Sequence, residues 1–419
     1  MSGGRLRRRL HTVARAAGWY AAVTSTAQVA AVVGVVAVDE IRKRRNPPPG
    51  GYASQPPVAV DVGGSGITTY TSGRDLYEAM LSAIEGAQHT IYFESYIWKA
   101  DDVGQRFKDA LVAASQRGVA VYVVYDAFAN LVVPPSFYRL PAPIHVLRFP
   151  VLRSAMITRP GIRSLGRDHR KILVVDSATG FVGGYNIGRL YADHWRDTHL
   201  RVQGPAVWEL DNAFCDFWNQ YRGRHLPALP DRGAASWDAR TEAASNAPSR
   251  LLFPVRGIYL KAIDRASERV YITQAYFIPD EEILASLLAA ARRGVDVRVI
   301  VPEYSNHVVA DWVARGYFGR LLAGGVSIWL YRNAMVHAKT ATVDGRWSTV
   351  GTANIDRLSL TGNYEVNLEV YSDEQAAEME RIFEMDLGNC RRLTYEEWAR
   401  RHHLARVVER LLKPLQPLL

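Results

Sequence analysis

Cysteine is nearly absent from this chain: Cys215 and Cys390 are the only two in 419 residues. Two thiols cannot build a disulfide framework or a Cys-based zinc cluster, and both are expected to be small buried apolar side chains. The sequence also lacks a convincing cluster of other metal ligands, so neither a metal nor a cofactor is expected. Positive charge is scarce where a nucleic-acid enzyme would need it. The formal net charge is +9, yet residues 1–50 hold nine Arg/Lys against two acids and residues 391–419 hold seven against three. That leaves −2 on residues 51–390. A nucleic-acid enzyme shows its basic surface on the body that holds the substrate. Here the basic residues flank apolar segments at the two ends, which favours an anionic membrane surface as partner and no nucleic acid.

Long apolar runs are few. The 23 residues 16–38 carry no charge and are long enough to cross a hydrocarbon core as a helix, although Thr24, Ser25, Thr26 and Gln28 weaken the run. A membrane anchor is the leading reading, ahead of a cleaved signal peptide and of an interfacial or buried helix. Arg5, Arg7, Arg8, Arg9 and Arg15 precede the run and Arg42–Arg45 follow it, so charge does not fix its orientation. A cell-membrane protein with one N-terminal anchor and its catalytic body on the cytoplasmic side is expected.

With 48% apolar residues the rest can supply two cores of ordinary size. Pro47–Gly51 reads as a linker into a first lobe, 51–225. A connecting loop is expected at 226–250, a second lobe at 251–390, and a basic amphipathic segment at 391–419. Both lobes show the same plan. A strand around Ile91–Tyr96 is followed by a helical pattern, Arg117-Gly118, and Val119, Val121 and Val123 at strand spacing. Val270–Ile272 is likewise followed by a helix, Arg293-Gly294, and Val295, Val297, Val299 and Val301. The glycines stand where a left-handed residue ends a helix. Strand–helix–strand order implies right-handed parallel crossovers and an α/β fold. The Tyr395–Leu412 stretch reads equally as a helix packed on the core and as a basic amphipathic helix at a lipid interface.

Within that repeat lies a sharper one. His169, Lys171 and Asp176 spell H-x-K-x4-D, and His337, Lys339 and Asp344 spell it again. Gly183 and Gly351, Asn186 and Asn354, and the carboxylates Asp197 and Glu365 follow at one constant offset of 168 residues. His and Lys two apart on a strand leave the same face and can converge on one oxyanion. A lone copy would be incidental; two complete copies suggest one active site assembled from two half-sites. The chemistry suits phosphodiester transfer. A neutral His can attack phosphorus, a second can protonate the leaving alkoxide, and Lys and Asn can neutralise the phosphate oxygens without a metal. Each His needs a carboxylate to fix its tautomer, and Asp197 and Glu365 are equivalently placed.

The duplicated motif resembles the phospholipase D superfamily, and the surrounding text resembles its bacterial cardiolipin synthase branch. The similar stretches are Phe93–Trp98, Arg117–Asp126, Arg167–Asn186, Trp195–His199 with Gly204–Val207, Ala275–Pro302, His337–Asn367, and the Trp398 to Leu415 tail. The resemblance implies two similar α/β lobes related by a pseudo-two-fold, with the active site at their interface, and a two-step reaction through a phosphohistidine. It implies His169 as nucleophile, His337 as acid/base, and Lys171, Lys339, Asn186 and Asn354 as phosphate ligands. In the family the motif aspartates, here Asp176 and Asp344, tend to be structural. Two departures stand out: the single N-terminal run where many relatives have two, and Gly184 where a hydroxyl would be usual. Phosphatidyl transfer between two phosphatidylglycerols, making cardiolipin and glycerol, is the leading expectation. Hydrolysis of phospholipids is the alternative; a nuclease and a catalytically silent scaffold are disfavoured. Arg153, Arg159, Arg163 and Arg167 read equally as headgroup ligands and as a solvated basic loop.

Overall fold

Each H-x-K motif opens a hairpin at the middle of its own sheet. In the computed structural model, which describes residues 26–45, 50–152, 166–236 and 239–418, the first lobe is built on nine strands. They are β1 (Val58–Val62), β2 (Ser65–Tyr70), β3 (Thr90–Ser95), β4 (Ala120–Asp126), β5 (His145–Phe149), β6 (Lys171–Val175), β7 (Thr179–Gly183), β8 (Trp195–Arg196) and β9 (His199–Gln203). The second lobe has β10 (Thr241–Ser245), β11 (Arg269–Gln274), β12 (Asp296–Pro302), β13 (Ser327–Tyr331), β14 (Met335–Val336), β15 (Lys339–Val343), β16 (Trp347–Gly351), β17 (Val366–Tyr371) and β18 (Cys390–Leu393).

Among the described residues the first sheet runs β1-β2-β9-β7-β6-β3-β4-β5 and the second β10-β17-β16-β15-β11-β12-β13-β18. Six strands therefore repeat in the same order, β9-β7-β6-β3-β4-β5 in the first and β17-β16-β15-β11-β12-β13 in the second: the two lobes are copies. In both, the expected crossover is present. The helix Asp102–Gln116 carries the chain from β3 to its parallel neighbour β4, and Glu281–Arg292 does so from β11 to β12. Asp101 and Asp280 cap these helices by accepting backbone N–H groups. Gly118 (φ 93°) and Gly294 (φ 91°) end them, as the sequence predicts.

The motif strands β6 and β15 are buried along their whole length, because each sheet is covered on both faces. One face of the first sheet packs on the helices Gly73–Gly86 and Asp102–Gln116 through Leu76, Ile84, Phe107 and Leu111. Its other face contributes Val174, Val182 and Leu200 to a core shared with Val350, Val366 and Leu368 of the second sheet. The lobes thus meet sheet against sheet, and a shared apolar core holds the two half-sites together.

Three expectations change. The stretch 226–250 is not loop throughout, since β10 pairs antiparallel with β17 as an edge of the second sheet. The C-terminal stretch is two helices, Tyr395–Ala399 and His403–Leu412. Trp398 and Leu412 are buried against Val308–Ala323, while Leu404 and Val407 are exposed. Residues 26–45 are helical well past 38, with Val35 buried in the second-lobe core. Among the described residues no helix is long and apolar enough to cross a membrane. Residues 16–25 of the apolar run, together with Arg5 to Arg15, Pro47 to Pro49 and Arg153, Arg159 and Arg163, lie outside the described residues.

Candidate active site

The two histidines enter the site by equivalent backbone contacts between lobes. His169 N donates to Tyr364 O at 3.0 Å, and His337 N donates to Arg196 O at 2.7 Å. Asp168 bridges Tyr364, and β14 pairs with β8 through Val336 and Arg196. All four positions map onto one another by the 168-residue offset. Each motif is therefore stitched to the segment that carries the other lobe's carboxylate.

That stitching crosses the charge partners. His169 Nδ1 lies 2.9 Å from Glu365 Oε2, and His337 Nδ1 lies 2.6 Å from Asp197 Oδ2. A carboxylate only accepts, so each Nδ1 carries the hydrogen and each Nε2 presents a lone pair to the cleft. Lys339 Nζ stands 2.9 Å from His337 Nδ1, but two donors cannot bond, so its hydrogen bond goes to His337 O. Lys171 Nζ donates to His169 O at 2.6 Å. Each ammonium keeps donors for a further acceptor.

Burial sets the charge states. It pushes Lys171 down to about 7 and Lys339 down to about 8, against the pull of the nearby carboxylates. It lowers His169, opposed by Glu365, and lowers His337 further, with Lys339 and Lys171 adding to the effect. Asp197 is raised by burial to about 6, opposed chiefly by Lys339. Both imidazoles are thus neutral at pH 7, as a nucleophile must be. An arriving phosphodiester anion would favour charge on the lysines and on one imidazole.

His169, His337, Asn186 and Asn354 line one cavity of about 540 Å³. Asn186 Oδ1 accepts from Ile97 N at 3.3 Å, which fixes the orientation of its amide. Asn354 is buried, and its Oδ1 has no partner. The Tyr96 ring meets His169 edge-on at 4.6 Å between centroids, and Trp195 packs against His337 at 4.8 Å. The helix at 26–45 adds Val36, Asp39, Glu40 and Lys43 to the wall.

Asp176 and Asp344 do not reach this cavity. Each lies at the far end of the five-residue strand that its motif lysine begins, and each sits at a hairpin tip with φ 53°. Asp176 accepts from the backbone N–H of Gln88, His89 and Thr90, and Asp344 from those of Ser267, Glu268 and Arg269. Partial burial raises both carboxyls, but these bonds outweigh it and hold both below the usual range. Their work is to fasten the hairpin tip to the strand next door.

The sequence reading missed Tyr96, Trp195 and Tyr276 as cavity residues. The first and last follow equivalent strand ends by one residue and by two, directly after Ser95 and after Gln274-Ala275, and the repeated strand end was the available signal. Arg167, left open between headgroup ligand and solvated loop, is buried with Pro150 O and Asp126 as partners.

Comparison with known proteins gives consistent results. A family model described as "Cardiolipin synthase, PLD-like domain" matches residues 80–218 and 259–387, one match per lobe. The chain is 33% identical over 374 residues to the "Major cardiolipin synthase ClsA" of Bacillus subtilis (strain 168), covering 86% of this chain and 77% of that protein. It is 31% identical over 373 residues to a cardiolipin synthase of Listeria monocytogenes serotype 4a, covering 83% and 75%. The crystal structure of a phosphatidylserine synthase from Haemophilus influenzae superposes with a TM-score of 0.66 at 15% identity, over 87% of this chain and 95% of that one. That likeness is one of fold.

Proposed function

The chain belongs to the family of cardiolipin synthases with phospholipase D-like domains, and we propose that it transfers a phosphatidyl group between two phosphatidylglycerols by way of a phosphohistidine on His169. The observation that carries this reading is the crossed pairing, His169 with Glu365 and His337 with Asp197, which turns two Nε2 atoms into one cavity.

In the first step the neutral His169 Nε2 attacks the donor's phosphorus, and the P–O bond to the glycerol headgroup breaks. His337, protonated beside the bound anion, gives its proton to the departing alkoxide, and glycerol leaves. In the second step neutral His337 takes the proton from a hydroxyl of the acceptor's headgroup. That oxygen attacks phosphorus, and the P–N bond to His169 breaks. Lys171, Lys339, Asn186 and Asn354 donate to the non-bridging oxygens throughout, in a pocket where burial strengthens each contact. Asp197 and Glu365 hold the tautomers and offset the charge each imidazole gains.

The substrate's acyl chains must reach the cleft from a bilayer. The helix at 26–45 exposes Val29, Val33, Val36, Val38 and Ile41, and Val36 also lines the cavity. With the basic residues at both ends of the chain, this face suits an anionic lipid surface and supports membrane anchoring beside the cleft.

Labelled phosphatidylglycerol, given to purified protein in vesicles, tests both points. Cardiolipin and free glycerol are the expected products. Phosphatidic acid as sole product would replace transfer by hydrolysis, and failure to float with the vesicles would sink the membrane surface. Either His169→Ala or His337→Ala is expected to abolish turnover; near-normal turnover in the second would exclude a shared site.

A further inference from the structure

The cavity breaks the pseudo-two-fold that its catalytic groups obey. At the 168-residue offset, Gly188, Tyr191 and Trp195 of the first lobe correspond to Asp356, Ser359 and Asn363 of the second. Tyr191 and Trp195 are stacked edge to face at 4.9 Å between centroids, and Trp195 lies against His337. That wall is aromatic. The matching wall is polar: Asp356 accepts from Ser359 N at 2.7 Å, and Asn363 lies 3.4 Å from Glu365, the partner of His169. All three side chains are more than nine-tenths buried and line the cavity. Two residues before Asp356, the Asn354 Oδ1 is a second buried acceptor, without a partner.

Charge decides what such a wall can hold. Asp356 is raised by burial only to about 6, so it is ionised at neutral pH. A carboxylate repels phosphate oxygens and accepts hydrogen bonds from hydroxyls. The polar wall therefore fits a group carrying several hydroxyls and no charge of its own.

Resting on the phosphatidyl-transfer reading above, we propose that Asp356 and Ser359, with the free carbonyl of Asn354, form a hydroxyl-binding subsite that seats the polyol headgroup of the acceptor. Held there, one hydroxyl meets the phosphohistidine on His169 while the other is bound by the carboxylate. A monohydric alcohol gains nothing from the carboxylate, and water leaves the wall unfilled. The subsite thus selects a polyol as acceptor.

Asp356 also caps the helix Arg357–Thr361, a role that Asn fills equally well. Asp356→Asn therefore removes the charge and keeps the cap. The test gives the full-length protein phosphatidylglycerol as donor, with labelled glycerol and ethanol competing as acceptors. The readout is the ratio of glycerol to ethanol incorporated. In the unaltered protein glycerol is expected to win; in Asp356→Asn the ratio should fall by about tenfold, the worth of one charged hydrogen bond. Ser359→Ala, which leaves the charge in place, should shift it in the same direction by less. Ratios within about twofold of the unaltered protein in both variants would overturn the subsite while leaving transfer intact. A parent protein that incorporates neither alcohol would instead overturn the transfer reading beneath it.

Discussion

Glu365 is one methylene longer than Asp197, and the residue facing each carboxylate adjusts to the difference. A Cβ built on Gly184 would stand 2.1 Å from Asp197 Oδ1, so no side chain fits there. At the matching position Thr352 fits and donates to Glu365 Oε2 at 2.6 Å. The missing hydroxyl at 184 is thus the space that a short carboxylate needs. Spacing alone made the histidines, lysines and carboxylates legible, because a period of two puts His and Lys on one face. It could not reveal the exchange of carboxylates, since a 28-residue separation serves a partner in either lobe equally well. Nor could it show that the motif aspartates fasten hairpin tips.

The buried charges at these residues set a pH profile. A lysine carries its charge below its pKa, so Lys171 and Lys339 lose charge as pH rises through about 7 and about 8. Binding of the anionic diester weakens over that interval. Asp197 stops accepting from His337 as pH falls through about 6. The ratio kcat/KM, which reports the free enzyme, is therefore expected to peak near neutrality. In Lys171→Arg, whose guanidinium stays charged, the alkaline fall should move upward by about one pH unit, to that of Lys339. A profile that is flat from about pH 5 to pH 9 would contradict these charge states.

Among the elements, β8 and the helix Asp373–Leu387 hold the lobes in register. Arg196 on β8 is fully buried, and its Nε and Nη2 donate to Asp386 at 2.9 and 2.8 Å, a bidentate pair across the lobe interface. Replacing Asp386 by Asn leaves a buried guanidinium without its counter-charge, which costs about 3–5 kcal/mol. Urea denaturation should show that loss, and Arg196→Met with Asp386→Leu should recover most of it; an unaltered midpoint in Asp386→Asn would rule the pair out as a fastening. Apolar periodicity made the crossovers and their glycine stops legible. It hid β10, whose Thr-Glu-Ala-Ala-Ser has no strand pattern and is ordered by pairing with the edge of β17. It also ran the two C-terminal helices together, because the break at Arg400–His402 is polar and lacks glycine or proline. There Arg401 turns back to Glu409 and packs over Trp398.

At the scale of the whole molecule, one duplicated lobe meets its copy sheet to sheet, and the proposed catalytic groups lie where the copies exchange side chains. Neither lobe holds a complete half-site: each His takes its carboxylate from the other. The departures from symmetry, Thr352 for Gly184 and Asp356 for Gly188, give the two histidines different surroundings, in keeping with the different work proposed for them. The central claim is that one shared site carries the phosphatidyl group on His169. Rapid acid quench of the enzyme with phosphorus-labelled phosphatidylglycerol, followed by peptide mapping, tests it directly. Label is expected on the peptide containing Asp168–Asp176, and on none from the His169→Ala protein. Label on the His337 peptide would contradict the assignment, and steady turnover with no labelled peptide would contradict the phosphohistidine itself.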